Sequence, residues 1–505
     1  MRAIDGTQHP KTAAPGRFAI DHACTQCPSR GLPGRDSESG TLPLEHELFE
    51  VATEIPICYP RQALFSSLVP MRLLLSIQRL LFTTLLSVGA VPSLADCPKP
   101  DGSGGVNAPE HLNAPYIVLI SLDGFRWDYP EIFNPPTINR MLKAGFRAER
   151  LIPVFPTLTF PNHYSVATGL YPDRHGLVGN HFYMPEFDSW YELFNRESVS
   201  DGRHYEGQPV WLTAECQGMV SAAYFFVGTE ADIQGMRPSY WYPYDKQVPG
   251  ARRVDQVLSW LGKPAAHRPH LITLYFEDVD DHSHWTGVGS GPARDAIVRV
   301  DSWLERLLQG IEKLPHGDQV NIIVVSDHGQ SAYLDNAEPL VISEHIDLTG
   351  IRVIGKGPYA FLFYDSDKQA RIERHTELLE AAWPHGRVMS PAEAPESWRV
   401  GANERWPDLM LVADIGHMVV SERAQIARLS AGAHGWAPED SDMHGILFGA
   451  GPGFIPGARI GPVRVVDIYP LMLDMLGLTA PGSLDADPQA LHSVRLLKPG
   501  PTPRD

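Results

Sequence analysis

YIVLISLDGFR, residues 116–126, decides the fold of this chain. Its first six positions form an unbroken apolar run that gives way to Asp123. A strand that is apolar at every position is covered on both faces, as in a parallel sheet flanked by helices. Similar runs recur at 271–276 (LITLYF), 320–325 (VNIIVV), 409–413 (LMLVA) and 446–448 (ILF). Helical patterns lie between them. Residues 137–144 end at Gly145 as a C-cap. Residues 252–261 are amphipathic, and 293–314 carry Ile297, Val300, Leu304, Leu307 and Leu308 on one stripe. Residues 467–476 (DIYPLMLDML) close the core. This alternation predicts a doubly wound α/β fold in one domain spanning residues 114–480, without internal repeats.

Several of the apolar runs deliver polar residues at their carboxyl ends, the edge where ligands sit in open α/β sheets. YIVLIS leads to Asp123, LITLYFE to Asp280 and His284 in EDVDDHSH, and NIIVVS to Asp327 and His328 in SDHG. A single Asp after a strand is commonly a turn former or helix cap; three strands ending this way point to a site. With Thr159 in TLTFPNH and His434 in GAHGW, the inventory is three Asp, three His and one hydroxyl. That donor set suits two Zn²⁺ ions, which take imidazole nitrogen and carboxylate oxygen in roughly tetrahedral sites. Two such ions about 4 Å apart clamp the attacking and leaving oxygens of an in-line displacement at phosphorus.

The chain of 505 residues, 43% hydrophobic and 20% charged, has the composition of a globular protein with a large core. Its net charge of -18 argues against a nucleic-acid duplex as partner. A small anionic substrate remains compatible, because bound divalent cations reverse the local field. Residues 71–95, MRLLLSIQRLLFTTLLSVGAVPSLA, have a basic start at Arg72, an apolar stretch, and small residues at Ser93 and Ala95. This is the anatomy of a secretory signal peptide. Such signals act at a true N-terminus, so Met71 is the expected start and residues 1–70 a non-native or disordered leader. An internal membrane anchor is the alternative, and Arg79 at its centre argues against it. After signal cleavage no stable membrane span is expected, and the mature protein would be secreted or periplasmic. Asp96, next to Cys97, disfavours a lipoprotein. The Cys24–Cys27 pair lacks a second pair for a zinc ribbon. Cys97 and Cys216 would survive maturation, and an oxidising compartment would permit their pairing. Residues 96–113 read as a Pro/Gly-rich linker and 481–505 as a C-terminal tail.

The stretch TLTFPNHYSVATGLYPDRHGLVGN, with the four other clusters, resembles the nucleotide pyrophosphatase/phosphodiesterase family of the alkaline phosphatase superfamily. The resemblance implies an alkaline-phosphatase-like central, mostly parallel sheet with helices on both faces, and a phosphodiesterase catalytic domain over 114–480. It implies two Zn²⁺ per chain, one held by Asp123, Thr159, Asp327 and His328, the other by Asp280, His284 and His434. Thr159 matches the nucleophile, whose hydroxyl a metal would activate. Asn180 matches a donor to a phosphate oxygen, and Phe160 and Tyr244 match residues that sandwich a nucleobase. Tyr240 and Tyr242 crowd the same segment as Tyr244. Asn162, His163, His175 and His181 fall on no family metal position and read as supporting or structural. The family usually has proline and glycine where Val279 and Ser283 stand, and methionine where Gln330 stands. Residues 285–292 also form a slightly longer segment than usual.

The implied activity is hydrolysis of phosphodiester or phosphoanhydride bonds in a small-molecule nucleotide, through a covalent threonine intermediate. Alternatives on the same scaffold are a phosphomonoesterase, a phosphonoacetate hydrolase and a phospholipid-headgroup hydrolase. An inactive nucleotide-binding protein is the alternative of another class, and the intact ligand set argues against it. No C-x-P-x-R sequence exists to generate a sulfatase nucleophile. N-terminal sequencing of the exported protein is expected to begin at Asp96; a start within residues 1–70 would contradict the signal assignment.

Overall fold

The computed structural model describes residues 105–496, apart from 366 and 367. The expected leader, the signal peptide, Cys97 and the end of the tail lie outside the described residues. Cys216, the only described cysteine, is disulfide-bonded. No helix among the described residues is long and apolar enough to cross a membrane.

The run at 116–121 forms the strand Tyr116–Leu122, buried at every position. It lies inside an eight-stranded sheet, flanked by Val320–Val325 on one side and Leu271–Phe276 on the other, both parallel to it. Ser221–Tyr224 and Tyr240–Tyr242 continue the parallel set beyond Leu271–Phe276. Leu447–Ala450 runs antiparallel to Val320–Val325, and Phe146–Ala148 and Arg459–Ile460 complete that edge. The sheet is therefore mixed and mostly parallel.

Alternation along Tyr116–Leu122 explains why every position is buried. Ile117 and Leu119 face a core shared with Tyr164, Val166, Trp211, Ile468 and Met472. Val118, Ile120 and Leu122 face the opposite core, with Ile138, Val254, Val257, Ile297, Val300 and Leu304. Helices Thr159–Thr168, Val210–Cys216 and Ile468–Leu476 thus cover one face. Helices Pro136–Ala144, Gly250–Leu261 and Gly291–Glu312 cover the other. Gly145 follows Pro136–Ala144 as expected, but for a reason other than a left-handed cap. A Cβ there would meet the Gly449 carbonyl oxygen at 1.8 Å, so the adjoining strand excludes any side chain.

One strand belongs elsewhere. Leu409–Ala413, expected beside the others, sits in a separate four-stranded antiparallel sheet with Ile351–Ile354, Tyr359–Tyr364 and Gly386–Met389. Its Met410 and Val412 pack into the main core, while Leu409, Leu411 and Ala413 pack with Leu379 and Trp383. Cover on both faces produces the same continuous apolar pattern as a central strand.

The ends of the domain are also tied down. From the expected linker, Asn107 is buried and its side chain bonds Val220 N, Ala265 O and Arg268 O. From the expected tail, Leu491 and Val494 are buried, and Asp485 accepts from Tyr171 N.

Between Leu271–Phe276 and the following helix, Glu277 forms a bidentate pair with Arg253 at 2.6 and 2.7 Å, both residues buried. Removing one partner of a buried pair strands the other charge, at a cost of about 3–5 kcal/mol. Arg253→Met should therefore lower the unfolding free energy in urea by about 3 kcal/mol or more. A change below about 1 kcal/mol, the size of an exposed pair, would contradict this role for the pair.

Candidate functional site

Three neighbouring parallel strands place the candidate residues along one sheet edge. Asp123 follows Leu122 directly, and Asp327 and His328 lie two and three residues beyond Val325. After Phe276 the chain enters helix Asp278–Thr286, where Asp280 and His284 stand four apart and share a face. Thr159 opens the helix Thr159–Thr168, with Pro161 in the first turn where no N–H is required. His434 follows Ala433, whose backbone exchanges both hydrogen bonds with Ser331 at 2.9 Å. Gly124 has a φ of 65°, and a Cβ there would sit 3.0 Å from Asp280 Cα and Cβ. Only glycine permits both the turn and the approach of the Asp280 helix to it.

The side chains converge. Asp280 Oδ1 lies 3.3 Å from His284 Nε2 and 3.8 Å from His434 Nε2. His328 Nε2 lies 3.1 Å from Asp327 Oδ2, 3.5 Å from Asp123 Oδ1 and 3.4 Å from Thr159 Oγ1. Each imidazole is oriented from behind: the Nδ1 atoms of His284, His328 and His434 donate to the carbonyls of Gly432, Gly329 and Thr157. A carbonyl only accepts, so Nδ1 carries hydrogen and Nε2 is left for the centre. Asp123 Oδ1 and Asp327 Oδ2 are buried and accept no hydrogen bond from the described residues.

Lone pairs of imidazole and carboxylate thus face one another across 3–4 Å, an arrangement that needs shared positive charge. Burial, then the charges of Asp327 and Asp280, push the Asp123 carboxyl well above the usual carboxylate range. Burial opposes charge on His284, but Asp280 beside it raises the imidazole to about 9. Burial and then His328 pull His434 down to about 3. Among the described residues, three overlapping sets have ligand atoms within 4.8 Å of one another: Asp280, His284 and His434; Asp123, Asp280 and His328; Asp123, His163 and Asp327. The orphaned oxygens and aimed Nε2 atoms fit divalent cations bound by nitrogen and oxygen.

These residues border a cavity of about 470 Å³. Phe160, Asn180 and Tyr244 line it as well. Asn180 Oδ1 accepts from Phe160 N at 3.0 Å, which turns the amide so that its Nδ2 hydrogens remain for the cavity. Among the three crowded tyrosines, Tyr240 and Tyr242 stack near Trp260, while Tyr244 packs edge-on to Phe225 and Tyr275. Asn162 serves the backbone of 154–158. His175 bonds Ser165 Oγ, and burial brings its pKa down to about 3. His181 is half-buried near Phe194.

Sequence reasoning missed the supporting roles of Tyr275 and Gln330, while His163, expected to be supporting or structural, does stand behind the site. Tyr275 donates to Asp123 Oδ2 at 2.6 Å. His163 lies 3.2 Å from Asp327 Oδ2 and 2.8 Å from Ser121 Oγ. Gln330 Nε2 donates to Asp280 Oδ1. Tyr275 sits at an alternating strand position and His163 one helical turn from Thr159, and those offsets are the only signal they leave in the sequence.

Residues 117–437 match the type I phosphodiesterase / nucleotide pyrophosphatase family. Ectonucleotide pyrophosphatase/phosphodiesterase family member 1 of Homo sapiens is 32% identical over 381 residues, 74% of this chain and 41% of that protein. A protein of Xenopus laevis named bis(5'-adenosyl)-triphosphatase is 31% identical over 372 residues, 74% of this chain and 80% of its own length. A solved structure of murine ectonucleotide pyrophosphatase/phosphodiesterase 5, an inactive variant in complex with AMP, aligns with a TM-score of 0.71 at 27% identity. It covers 76% of this chain and 100% of its own. The chain spans less than half the length of the first curated relatives it matches. The family match takes in all five motif clusters, and the fold is alkaline-phosphatase-like. The chain belongs to the type I phosphodiesterase / nucleotide pyrophosphatase family.

Proposed function

We propose that this protein is a two-zinc phosphodiesterase and nucleotide pyrophosphatase that works through a covalent intermediate on Thr159. The observation that carries this reading is the convergence of three aimed Nε2 atoms on the buried Asp327 and the partly buried Asp280 carboxylates, with Thr159 Oγ1 3.4 Å from the His328 Nε2. Asp123, Asp327, His328 and Thr159 would hold one cation, and Asp280, His284 and His434 the other. When bound, the pair supplies Lewis-acid charge at the attacking and leaving oxygens.

Thr159 loses its proton to solvent and its Oγ1 attacks phosphorus in line. The bond to the leaving oxygen breaks, and a nucleotidyl group remains esterified to Thr159. Water then attacks the same phosphorus from the vacated side, releasing a nucleoside monophosphate and restoring the hydroxyl. Asn180, held by Phe160 N, offers Nδ2 to a non-bridging oxygen as charge grows there. Phe160 and Tyr244 flank the nucleobase within the cavity. A nucleotide unit accords with the AMP held by the murine neighbour, and the Xenopus relative's name extends the substrate class to dinucleoside polyphosphates. Export beyond the cytoplasm is part of the proposal, on the pattern at 71–95 and on relatives named ectoenzymes and venom enzymes.

Thr159→Ala should lower kcat/KM for p-nitrophenyl thymidine monophosphate by about 10⁴-fold or more. Retention of most activity would remove Thr159 from the nucleophile's role, and a strong wild-type preference for p-nitrophenyl phosphate would favour a monoesterase.

Metal uptake should depend on pH with a defined sign. With His284 raised to about 9, its Nε2 keeps a proton below that pH, and a cation must displace it. Calorimetric zinc titration should therefore show tighter binding at pH 8 than at pH 6, with proton release measurable from the heats in two buffers. Binding without proton release would contradict the assignment of His284.

A further inference from the structure

We propose that Trp285 and Lys246 form a leaving-group site for a second nucleotide, so that dinucleoside polyphosphates are favoured over simple nucleoside triphosphates. The inference rests on the diesterase reading above. Trp285 immediately follows His284 at the end of helix Asp278–Thr286, and its indole is 63% exposed while lining the cavity. A large aromatic left open beside a polar centre offers a face for stacking. Lys246 Nζ stands 4.9 Å from the indole centroid and 2.6 Å from Asp281 Oδ2, which fixes the ammonium at the same rim. Positive charge and an aromatic face therefore occur together, and a nucleotide presents the matching phosphate and base. The position also agrees with the direction of the reaction. With Thr159 attacking from the His328 side, the leaving oxygen departs toward Asp280 and His284, and Trp285 follows His284 in the helix and lines the same cavity. Phe160 and Asn180 lie beside Thr159, apart from Trp285 and Lys246 in sequence, while Tyr244, two residues before Lys246, lines the same cavity.

The test compares diadenosine triphosphate, whose leaving group is ADP, with ATP, whose leaving group is pyrophosphate without a ring. Both place the same adenylyl unit on Thr159. Trp285→Ala should lower the ratio of kcat/KM for diadenosine triphosphate over ATP about tenfold, and Trp285→Phe should restore most of it. Lys246→Gln should lower kcat/KM about threefold or more for both substrates, since both leaving groups are anionic. An unchanged ratio in Trp285→Ala, or an unaffected Lys246→Gln, would overturn the leaving-group site while leaving the diesterase reading intact. Wild-type protein inert toward both substrates would overturn both proposals together.

Discussion

Buried and partly buried carboxylates and imidazole lone pairs held within 3–4 Å of one another cannot coexist without positive charge between them. The domain is arranged around this constraint. Three parallel strands bring Asp123, Asp327 and the Asp280 helix to one edge, and backbone carbonyls from three separate loops turn the imidazoles inward. Tyr275, His163 and Gln330 add hydrogen bonds or close polar contacts to the carboxylates. Such supporting shells orient ligands and raise their basicity, and their loss typically weakens metal sites by tenfold or more.

Much of this was legible in the sequence because the physics leaves a local trace. A strand covered on both faces must be apolar throughout, so Tyr116–Leu122 and Leu271–Phe276 announce themselves, and the first polar residues beyond them mark the edge. The same rule misplaced Leu409–Ala413, since a small antiparallel sheet covered on both faces writes an identical pattern. Pairing partners are set by tertiary contacts that a run of aliphatic residues does not encode.

The site divides in the same way. Asp123, Asp327 and His328 stand out by position alone, whereas His434 in its Gly-flanked loop is separable from a surface histidine only through family resemblance. Tyr275 and Gln330 remain hidden because a tyrosine in a strand or a glutamine in a loop ordinarily packs or meets water. Their roles follow from which atoms the fold sets opposite Asp123 and Asp280. Tyr244 is distinguished from Tyr240 and Tyr242 in the same manner, by the ring it packs against and the space it faces.

The most direct measurement of the central claim is an anomalous-difference map recorded at the zinc edge from crystals grown with the metal. Two peaks about 4 Å apart are expected, one among Asp123, Asp327 and His328, the other among Asp280, His284 and His434. A single peak, or none within reach of these Nε2 atoms, would contradict it.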